Sequence, residues 1–551
     1  MRETKTKNGL KLHVVAGSYV VLLGWHLPED KCEGLMGFSV HRTDHTEDES
    51  YYLSGQKAFE ETDPGFPPGS PHSTRYHPVQ SFQWSDYTAK PGHEYTYRVS
   101  ALKGEPKNLE VFAEVEITIT TEAPEAGDQD IYFNRGVAGS QAYTRRFGDR
   151  RPEEVQNNAA YDWLSRGLVE AMANYIDGCE GGRDGLRIAA YEFRYGPILD
   201  RLKAAVDRGV DVQIIYDARK DFPRDENRKA VAAAGLAGVC KERLEFKSAI
   251  QHNKFMVKLR DGAPVSVWTG GTNFSEGGIF GQSNVAHVVE DADVAQSFLD
   301  YWAILHEDLN GEPTRHKVEA ISVLPTGKPP AGTTAIFSPR DSIDALNWYA
   351  DIAGKAREGL MMTFAFGMND VFKEVYRSGG APFRLALMEK ASGPKRTKEE
   401  TKAEERKIQV LRNMPENTFA IGSLIKTNKI DGWVKERLTG LNSHVRYVHN
   451  KFMLIDPLGN DPIVVGGSAN FSGASTEDND ENMLVVRGDK RVADIYLGEF
   501  MRLYSHHAFR ESLTFRDSKP PKPLRTDDWW KDYFGETPRS VRRKFFARTN
   551  A

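Results

Sequence analysis

The sequence predicts a small all-β sandwich followed by two α/β units that form a tandem repeat. Apolar residues alternate with polar ones in "HEYTYRVSAL" and "AEVEITIT", which is typical of strands in the first part of the chain. A strand–helix–strand order then occurs twice in the remaining residues. Two similar segments, "QHNKFMVKL" (251–259) and "VHNKFMLID" (448–456), stand at corresponding places in these units. With 551 residues, the chain is too long for a single hydrophobic core.

The all-β unit is expected over residues 1–121, with a linker at 122–130. It includes "YVVLLGWHL", an apolar run that contains Trp25. The phrase "FQWSDYTAKPGHEYTYRVSA" resembles the end of a fibronectin type III domain, with a Pro-Gly turn before a Tyr-x-Tyr strand. The resemblance implies a fibronectin-like or immunoglobulin-like sandwich. Domains of this type more often bind other molecules or separate neighbouring domains than catalyse a reaction.

The two α/β repeats are expected over residues 131–320 and 321–510. In the first repeat "GLRIAAYEF" predicts a strand, "GPILDRLKAAVDRG" a helix and "VDVQIIYDAR" a second strand, which implies a parallel pair with a crossover helix. The second repeat has "GLMMTFAF", "DVFKEVYRSG" and "APFRLALMEK" in the same order. The following segment, residues 392–407, is predicted to be either a solvated helix or a loop. Residues 511–551 form a C-terminal tail.

Composition limits the function classes. The net charge of −5 argues against a protein that coats long nucleic acids, because such proteins are usually basic. Three cysteines, Cys32, Cys179 and Cys240, fit no zinc-ligand or disulfide spacing. No apolar run is long enough for a membrane helix, and the N-terminus has no apolar core typical of a signal peptide. We therefore expect a cytoplasmic protein, or one exported without a recognisable signal peptide.

The duplicated segments carry the chemistry. Overlaid without a gap, they pair His252 with His449, Lys254 with Lys451, Asn273 with Asn470, and Ser275 with Ser472. Residues i and i+2 of a strand share a face, so histidine and lysine point the same way, and a Gly-Gly turn lets asparagine return to that face. Two such sets make a phosphate pocket in which lysines offset charge and amides donate hydrogen bonds. One histidine can attack phosphorus while the other protonates the leaving oxygen.

A metal site is the poorer interpretation of these residues, because ammonium groups beside the histidines would repel a divalent cation. The pattern His-x-Lys-x4-Asp, followed by Gly-Gly/Ser-x-Asn, resembles the signature of the phospholipase D superfamily. Residues 448–472 match it in full, including Asp456 and Ser468, and residues 251–275 match except at Leu259. The resemblance implies two repeats around a pseudo-twofold axis, one shared active site, a phosphohistidine intermediate, and neither a metal nor another cofactor.

Leu259 stands where the second repeat has Asp456. In the superfamily, the aspartate at this position resembles a residue that supports the strand and turn behind the pocket. Asp261 lies two residues beyond Leu259, too far along the strand to take its place. Since histidine, lysine and asparagine are all present twice, we expect an active enzyme rather than a pseudoenzyme. Both half-sites lie on one chain, so a monomer is expected to suffice for catalysis.

Glu481 introduces an asymmetry between the repeats. We align it with Ser283 of "GQSNVAHVV". The resemblance implies that a carboxylate here holds the histidine of the opposite repeat, so Glu481 would orient His252. Gln282 or Ser283 would then give His449 a neutral partner. On this basis His252 is expected to be the nucleophile and His449 the general acid.

The motifs do not separate lipid from nucleic-acid substrates. The tail contains Trp529 and Trp530, followed by a basic run at 542–544. These residues are expected to tie the tail to the body, to contact a membrane surface, or to stack bases. A phospholipid hydrolase or phosphatidyl transferase is favoured, with peripheral membrane contact. The first alternative is a nuclease or other nucleic-acid phosphodiesterase, and the second is an inactive phosphate-binding scaffold.

Overall fold

The computed structural model describes residues 1–66, 70–136, 141–148, 150–393, 397–422, 447–514 and 522–549. Its N-terminal unit is built from ten strands in this described part: β1 (Arg2–Lys7), β2 (Leu10–Ala16), β3 (Val21–His26), β4 (Leu35–Asp44), β5 (Glu49–Tyr52), β6 (Ser54–Gly55), β7 (His72–Ser73), β8 (Gln83–Asp86), β9 (Glu94–Glu105) and β10 (Asn108–Thr120). Strands β1-β2-β3-β8 form one antiparallel sheet, and β10-β9-β4-β5 form a second.

The two sheets of the N-terminal unit share one apolar core. Trp25 and Leu23 of β3 pack in the same cluster as Phe38 of β4 and Val99 of β9. The prediction of an all-β unit is confirmed, although strand β1 was missed. Its sequence, "RETKTK", is almost entirely exposed and has no apolar alternation, so only its pairing with β2 makes it a strand.

The first α/β repeat is a mixed sheet with helices packed against it. Its described strands are β11 (Gln129–Phe133), β12 (Asp184–Ala190), β13 (Asp211–Asp217), β14 (Cys240–Arg243), β15 (Lys254–Arg260), β16 (Ala263–Gly270) and β17 (Val285–Val289), in the order β11-β17-β16-β15-β12-β13-β14. Its described helices are α1 (Gln141–Phe147), α2 (Ala159–Ser165), α3 (Leu168–Asp177), α4 (Gly196–Asp207), α5 (Asp221–Ala233), α6 (Ala292–Glu307) and α7 (Gly311–Ile321). The predicted parallel pair is β12 with β13.

The second repeat has the same strand order. Its described strands are β18 (Gly332–Ser338), β19 (Leu360–Phe364), β20 (Arg384–Met388), β21 (Asn417–Ile421), β22 (Phe452–Ile455), β23 (Ile463–Gly467) and β24 (Glu481–Arg487), in the order β18-β24-β23-β22-β19-β20-β21. The remaining described helices are α8 (Asp344–Gly354), α9 (Asp370–Ser378), α10 (Lys398–Arg412), α11 (Gly473–Glu477), α12 (Lys490–Thr514) and α13 (Pro538–Ala547). The prediction of two α/β halves is confirmed.

The sequence patterns of two segments can be compared with the structure. The segment "AYDWLSRGLVEAMANYI" has helical spacing throughout but forms two helices, α2 and α3. The break falls at Arg166 and Gly167, whose φ angles are 52° and 89° and which therefore cannot continue a right-handed helix. The charged segment at 392–407 is helical from Lys398, where Thr397 and Glu400 form a capping box. Residues 394–396 lie outside the described residues.

The C-terminal tail joins the N-terminal unit to the second repeat. Trp529 is 3% exposed and Trp530 is 9% exposed, and Nε1 of Trp529 donates to the carbonyl oxygen of Leu35 at 2.7 Å. Phe545 and Phe546 pack in a cluster with residues of the second repeat. The interpretation that the tail ties onto the body is therefore confirmed, and the two tryptophans are too buried to contact a membrane or a base. Among the described helices, none has the length and apolar character needed to span a membrane.

Candidate active site

The two motif segments pair reciprocally across the repeats. Gln251 forms a parallel bridge with Asp480, and Val448 forms one with Ser283. The amide of His252 donates to the carbonyl oxygen of Asp480 at 2.9 Å. Each histidine therefore enters its strand directly from a contact with the opposite repeat, and this contact brings the two half-sites together.

His252 meets the carboxylate predicted for it. Its Nδ1 lies 2.9 Å from Oε2 of Glu481, and both side chains are buried. The contact leaves Nε2 of the imidazole as the ring nitrogen that is free for chemistry. Burial works to raise the pKa of Glu481, but the charge and hydrogen bond of His252 and the charge of Lys254 outweigh it, and the net shift lowers that pKa.

His449 has a neutral partner, but the residue predicted for this role was wrong. Its Nδ1 lies 2.8 Å from Oδ1 of Asn284. Asn284 lies 32 residues after His252, and Glu481 lies 32 residues after His449, so Asn284 is the true counterpart of Glu481. The alignment with Ser283 was displaced by one residue.

Gln282 and Ser283 have other contacts. The backbone carbonyl of Gln282 accepts a 2.7 Å hydrogen bond from Nδ2 of Asn134. The hydroxyl of Ser283 donates to the carbonyl oxygen of Tyr447 at 3.0 Å. Ser283 therefore supports the chain that leads into His449 and does not bond the imidazole itself.

Both motif lysines are buried at the pocket. Nζ of Lys451 donates to the carbonyl oxygen of His449 at 2.6 Å, and Nζ of Lys254 makes the equivalent contact with His252. Burial lowers the pKa of Lys254 to about 7. Burial and then the charge of Lys254 hold the pKa of Lys451 well below its usual range. Glu481 opposes both shifts but does not outweigh them, so a bound anion would favour the charged forms of both lysines.

The two histidines respond to the same charges. Burial, followed by the charge of Lys254, lowers the pKa of His252, although Glu481 opposes this shift. Burial and then the charges of Lys451, Lys254 and His252 lower the pKa of His449 well below its usual value. His252 has a carboxylate to stabilise its protonated form, whereas the Nδ1 partner of His449 is the neutral amide of Asn284.

The motif asparagines and serines surround the same turns. Oδ1 of Asn273 and Oδ1 of Asn470 are buried, and neither accepts a hydrogen bond from the part of the chain that the structure describes. Ser472 caps helix α11 by accepting from the amide of Ser475 at 3.3 Å. The hydroxyl of Ser468 accepts from the amide of Asn482 at 3.0 Å. The serines thus hold the turns, while the amide groups remain available at the pocket.

Asp456 and Leu259 show how the missing aspartate is compensated. The carboxylate of Asp456 accepts hydrogen bonds of 2.7 to 3.1 Å from three successive amides, those of residues 357–359, in the turn before β19. Leu259 instead packs in an apolar cluster, and Asp184 holds the corresponding turn by accepting from the amide of Glu180 at 2.9 Å. Asp261 forms an exposed ion pair with Arg183. The support function has moved to another residue of the first repeat.

Tyr191 and Glu192, which follow β12, lie at the site but were not predicted from the sequence. The ring centroids of Tyr191 and His252 are 5.0 Å apart, and Nζ of Lys254 lies 5.2 Å from the ring centroid of Tyr191. Oε2 of Glu192 accepts a 2.5 Å hydrogen bond from the hydroxyl of Ser275. The available signal was topological, because β12 lies beside β15 and residues at its carboxyl end must reach the Lys254 end of that strand.

The family comparison matches both halves of the site. The family described as "Cardiolipin synthase, PLD-like domain" matches residues 174–303 and 398–504, and each matched part contains one histidine motif. The chain belongs to the phospholipase D superfamily. Members of this superfamily are phosphodiesterases and phospholipid-modifying enzymes, and this protein is an enzyme of that kind. No curated protein matches the chain.

Several solved structures are similar to this superfamily member. Nuc from Salmonella typhimurium, a phospholipase D family member, is 30% identical, with 25% of this chain and 87% of that chain covered and a TM-score of 0.22. Phosphatidylserine synthase from Haemophilus influenzae Rd KW20 is 12% identical, with 69% and 91% covered and a TM-score of 0.42. Polyphosphate kinase from Porphyromonas gingivalis is 12% identical with a TM-score of 0.39; the match covers 62% of this chain and about half, 48%, of the kinase.

Proposed function

We propose that the protein cleaves phosphodiesters through a covalent phosphohistidine on His252, with His449 as general acid. The observation that carries this assignment is the difference between the two imidazole partners, a carboxylate 2.9 Å from His252 and an amide oxygen 2.8 Å from His449. The lysines and asparagines of both motifs hold the phosphate. We propose that the repeats are related by a pseudo-twofold axis, which their common strand order and reciprocal bridges support.

The first chemical step forms one bond and breaks another. Nε2 of His252 attacks phosphorus with its lone pair, the bond from phosphorus to the leaving oxygen breaks, and the proton on Nε2 of His449 goes to that oxygen. The phosphoimidazolium formed on His252 is cationic, and Glu481 stabilises it through Nδ1. Lys254 and Lys451 offset the negative charge of the equatorial oxygens.

The second step reverses the roles. His449, now neutral, takes a proton from water or from an acceptor alcohol, whose oxygen attacks phosphorus as the bond to Nε2 of His252 breaks. Hydrolysis and transfer therefore use the same groups and differ only in the nucleophile. The neutral partner of His449 suits this residue, because a low pKa makes its imidazolium a strong proton donor once the bound phosphate has favoured protonation.

We propose that the reaction needs no metal and that one chain suffices. A bound phosphate favours the charged forms of Lys254 and Lys451, and two ammonium groups beside it would repel a divalent cation. Every group used in the two steps belongs to the same chain, so activity per chain is independent of protein concentration.

For the substrate we propose a phospholipid headgroup diester, bound from a membrane surface that the protein contacts peripherally. The matched family, whose description names cardiolipin synthase, supports this class. The net charge of −5 also favours it over a long nucleic acid. Trp529 and Trp530 give this substrate class no support, since both are buried.

The decisive experiment is a substrate panel assayed with EDTA throughout. It contains phosphatidylcholine vesicles, cardiolipin vesicles, single-stranded DNA and a chromogenic phosphodiester, with the His252→Asn variant as the matched blank. We expect EDTA-resistant turnover of the chromogenic diester and of at least one phospholipid. Turnover of DNA alone would assign the nuclease alternative. Loss of all activity on chelation, with recovery on adding a divalent ion, would refute the mechanism.

A further inference from the structure

A cluster of buried charges lies immediately behind the His252–Glu481 pair. We call it the buried ion cluster and define it as Arg219, Arg243 and Asp480, whose side chains are all 0% exposed. Nη2 of Arg219 lies 2.7 Å from Oδ2 of Asp480, and Nε of Arg243 lies 3.3 Å from the same oxygen. Asp480 belongs to the second repeat and both arginines belong to the first, so the cluster joins the two halves of the enzyme.

Arg243 is itself anchored within the first repeat. Its Nη1 forms an ion pair with Asp308 at 2.9 Å and donates to the carbonyl oxygen of Leu309 at 2.7 Å. Arg243 is the last residue of strand β14, so the cluster fixes Asp480 to the first repeat at the end of that strand.

The backbone of Asp480 holds the chain of His252 directly. Its carbonyl oxygen accepts from the amide of His252 at 2.9 Å, and its own amide donates to the carbonyl oxygen of Ile250 at 3.0 Å. The next residue, Glu481, bonds the imidazole. Because adjacent residues of an extended chain point to opposite sides, Asp480 is clamped by the arginines on one side while Glu481 meets His252 on the other.

In the described part of the chain, the position equivalent to Asp480 in the opposite half-site is uncharged. Ser283 occupies the position that corresponds to Asp480, and its hydroxyl donates to the carbonyl oxygen of Tyr447 at 3.0 Å. At this position a neutral hydrogen bond therefore stands where two arginines hold Asp480, while a carboxylate, that of Glu389, accepts from the amide of Val448 at 3.0 Å. The two sides share the same backbone bridge and differ in what clamps it.

Burying the charged atoms of the buried ion cluster costs folding free energy, because they are removed from water. Nε and Nη1 of Arg219 and Oδ1 of Asp480 are buried, and none of them has a partner within the described residues. Desolvation of such charges often outweighs their mutual attraction, so a buried ion pair is weak evidence for a stabilising role. Its geometry instead restricts where the Asp480–Glu481 backbone can lie.

We propose that the buried ion cluster is a positioning device for the nucleophile, which sets the imidazole of His252 by fixing the backbone that carries Glu481. The proposal rests on the function assigned to His252 above. Asp480, Arg219 and Arg243 touch neither the substrate nor the reacting atoms, and they act through Glu481 and the amide of His252.

The test compares the wild type with Asp480→Asn, which removes the charge but keeps the side-chain shape. We expect the rate of phosphoenzyme formation to fall about 100-fold, as for a misplaced reacting group, with KM changed less than about twofold. The Nδ1–H proton resonance of His252, assigned by its loss in His252→Asn, should broaden or vanish. Asp261→Asn, which alters an exposed ion pair, is the surface control.

A second variant addresses misfolding. Asp480→Asn combined with Arg219→Gln removes one charge of each sign and so leaves the net charge of the cluster unchanged. It should show the same loss of rate and of the resonance. In the wild type, the Nδ1–H proton of His252 should exchange with solvent more slowly than that of His449. Faster exchange at His252, or a folded variant with unaltered rate and resonance, would overturn the proposal. If the wild type forms no phosphoenzyme, the assigned function fails, but the exchange comparison still decides this proposal.

Discussion

Nδ1 of His252 in the first repeat lies 2.9 Å from Oε2 of Glu481 in the second. Each repeat thus supplies the Nδ1 partner of the other's motif histidine, Glu481 for His252 and Asn284 for His449, so on the proposed function neither half alone contains a complete site. The arrangement gives the pair of histidines different acid–base properties although their motifs are nearly the same.

Replacing Glu481 by Gln should move the pH dependence of the reaction. The carboxylate raises the pKa values of both His252 and Lys254, so its loss should lower both. The acid limb of kcat/KM reflects the need for neutral His252, and it should move to lower pH. A basic limb set by Lys254, whose pKa is about 7, should move the same way. A full pH–rate profile measures both limbs. An unshifted profile at reduced rate would mean that Glu481 acts only through geometry.

Local patterns were sufficient to predict most of the repeat elements. The strand predicted from "GLRIAAYEF" is β12, and the helix predicted from "DVFKEVYRSG" is α9, because both carry strong apolar periodicity. Strand β1 and the break between α2 and α3 could not be obtained in this way. The first depends on a partner strand, and the second on backbone conformations that the pattern does not encode.

Site residues could be predicted where sequence spacing determines their geometry. They were missed where tertiary packing determines their positions. His252 and Lys254 could be assigned from the duplicated motif, and the resemblance to the phospholipase D superfamily implied the contact between His252 and Glu481, which is present. Tyr191 and the buried ion cluster could not be assigned in this way, since the place of Tyr191 depends on which strand lies beside β15 and that of the cluster on how the two repeats meet. The error at Ser283 was one of counting, and Asn284 could have been found from the sequence.

Restoring an aspartate at Leu259 should not improve the enzyme. Leu259 is 6% exposed and packs in an apolar cluster, while Asp184 already serves the nearby turn. Leu259→Asp should lower the free energy of unfolding by about 1–3 kcal/mol, the cost of an unpaired buried polar group, and leave kcat unchanged or lower. Urea denaturation and steady-state kinetics measure the two effects. Asp456→Leu is the matched variant and should also destabilise the protein; a large gain in kcat from Leu259→Asp would show that the natural site is impaired.

Asn253 and Asn450 follow the two histidines and differ in their partners. Nδ2 of Asn253 donates to the hydroxyl of Tyr301 at 3.1 Å, and its Oδ1 accepts from Asn482 at 2.8 Å. Both amide atoms of Asn450 are buried without a partner in the described residues. Asn253→Ala should lower the free energy of unfolding by about 1–3 kcal/mol, whereas Asn450→Ala should lower it far less or raise it. Equal losses in thermal or chemical denaturation would contradict this difference.

The tail should contribute to stability and not to membrane binding. Trp529 is buried against the N-terminal unit, and its indole donates to Leu35. Trp529→Ala should cost about 3–5 kcal/mol of unfolding free energy, as for other large-to-small core substitutions. Binding to phospholipid vesicles, measured by sedimentation below the unfolding temperature, should be unchanged. Weaker vesicle binding by a variant that remains fully folded would return the tail to the list of membrane contacts.

The two histidines should separate in a trapping experiment. Both His252→Asn and His449→Asn should abolish steady-state turnover, because neither chemical step can be omitted. With a substrate that has a very good leaving group, however, His449→Asn needs no proton donor for the first step and should still form the phosphoenzyme. It should then stall, since the water that resolves the intermediate has lost its base, while His252→Asn should trap nothing. Peptide mapping should place the phosphoryl group within residues 248–254. A phosphoryl group within residues 447–451 would exchange the two roles, and His449, whose Nδ1 partner is the neutral amide of Asn284, would then be the nucleophile.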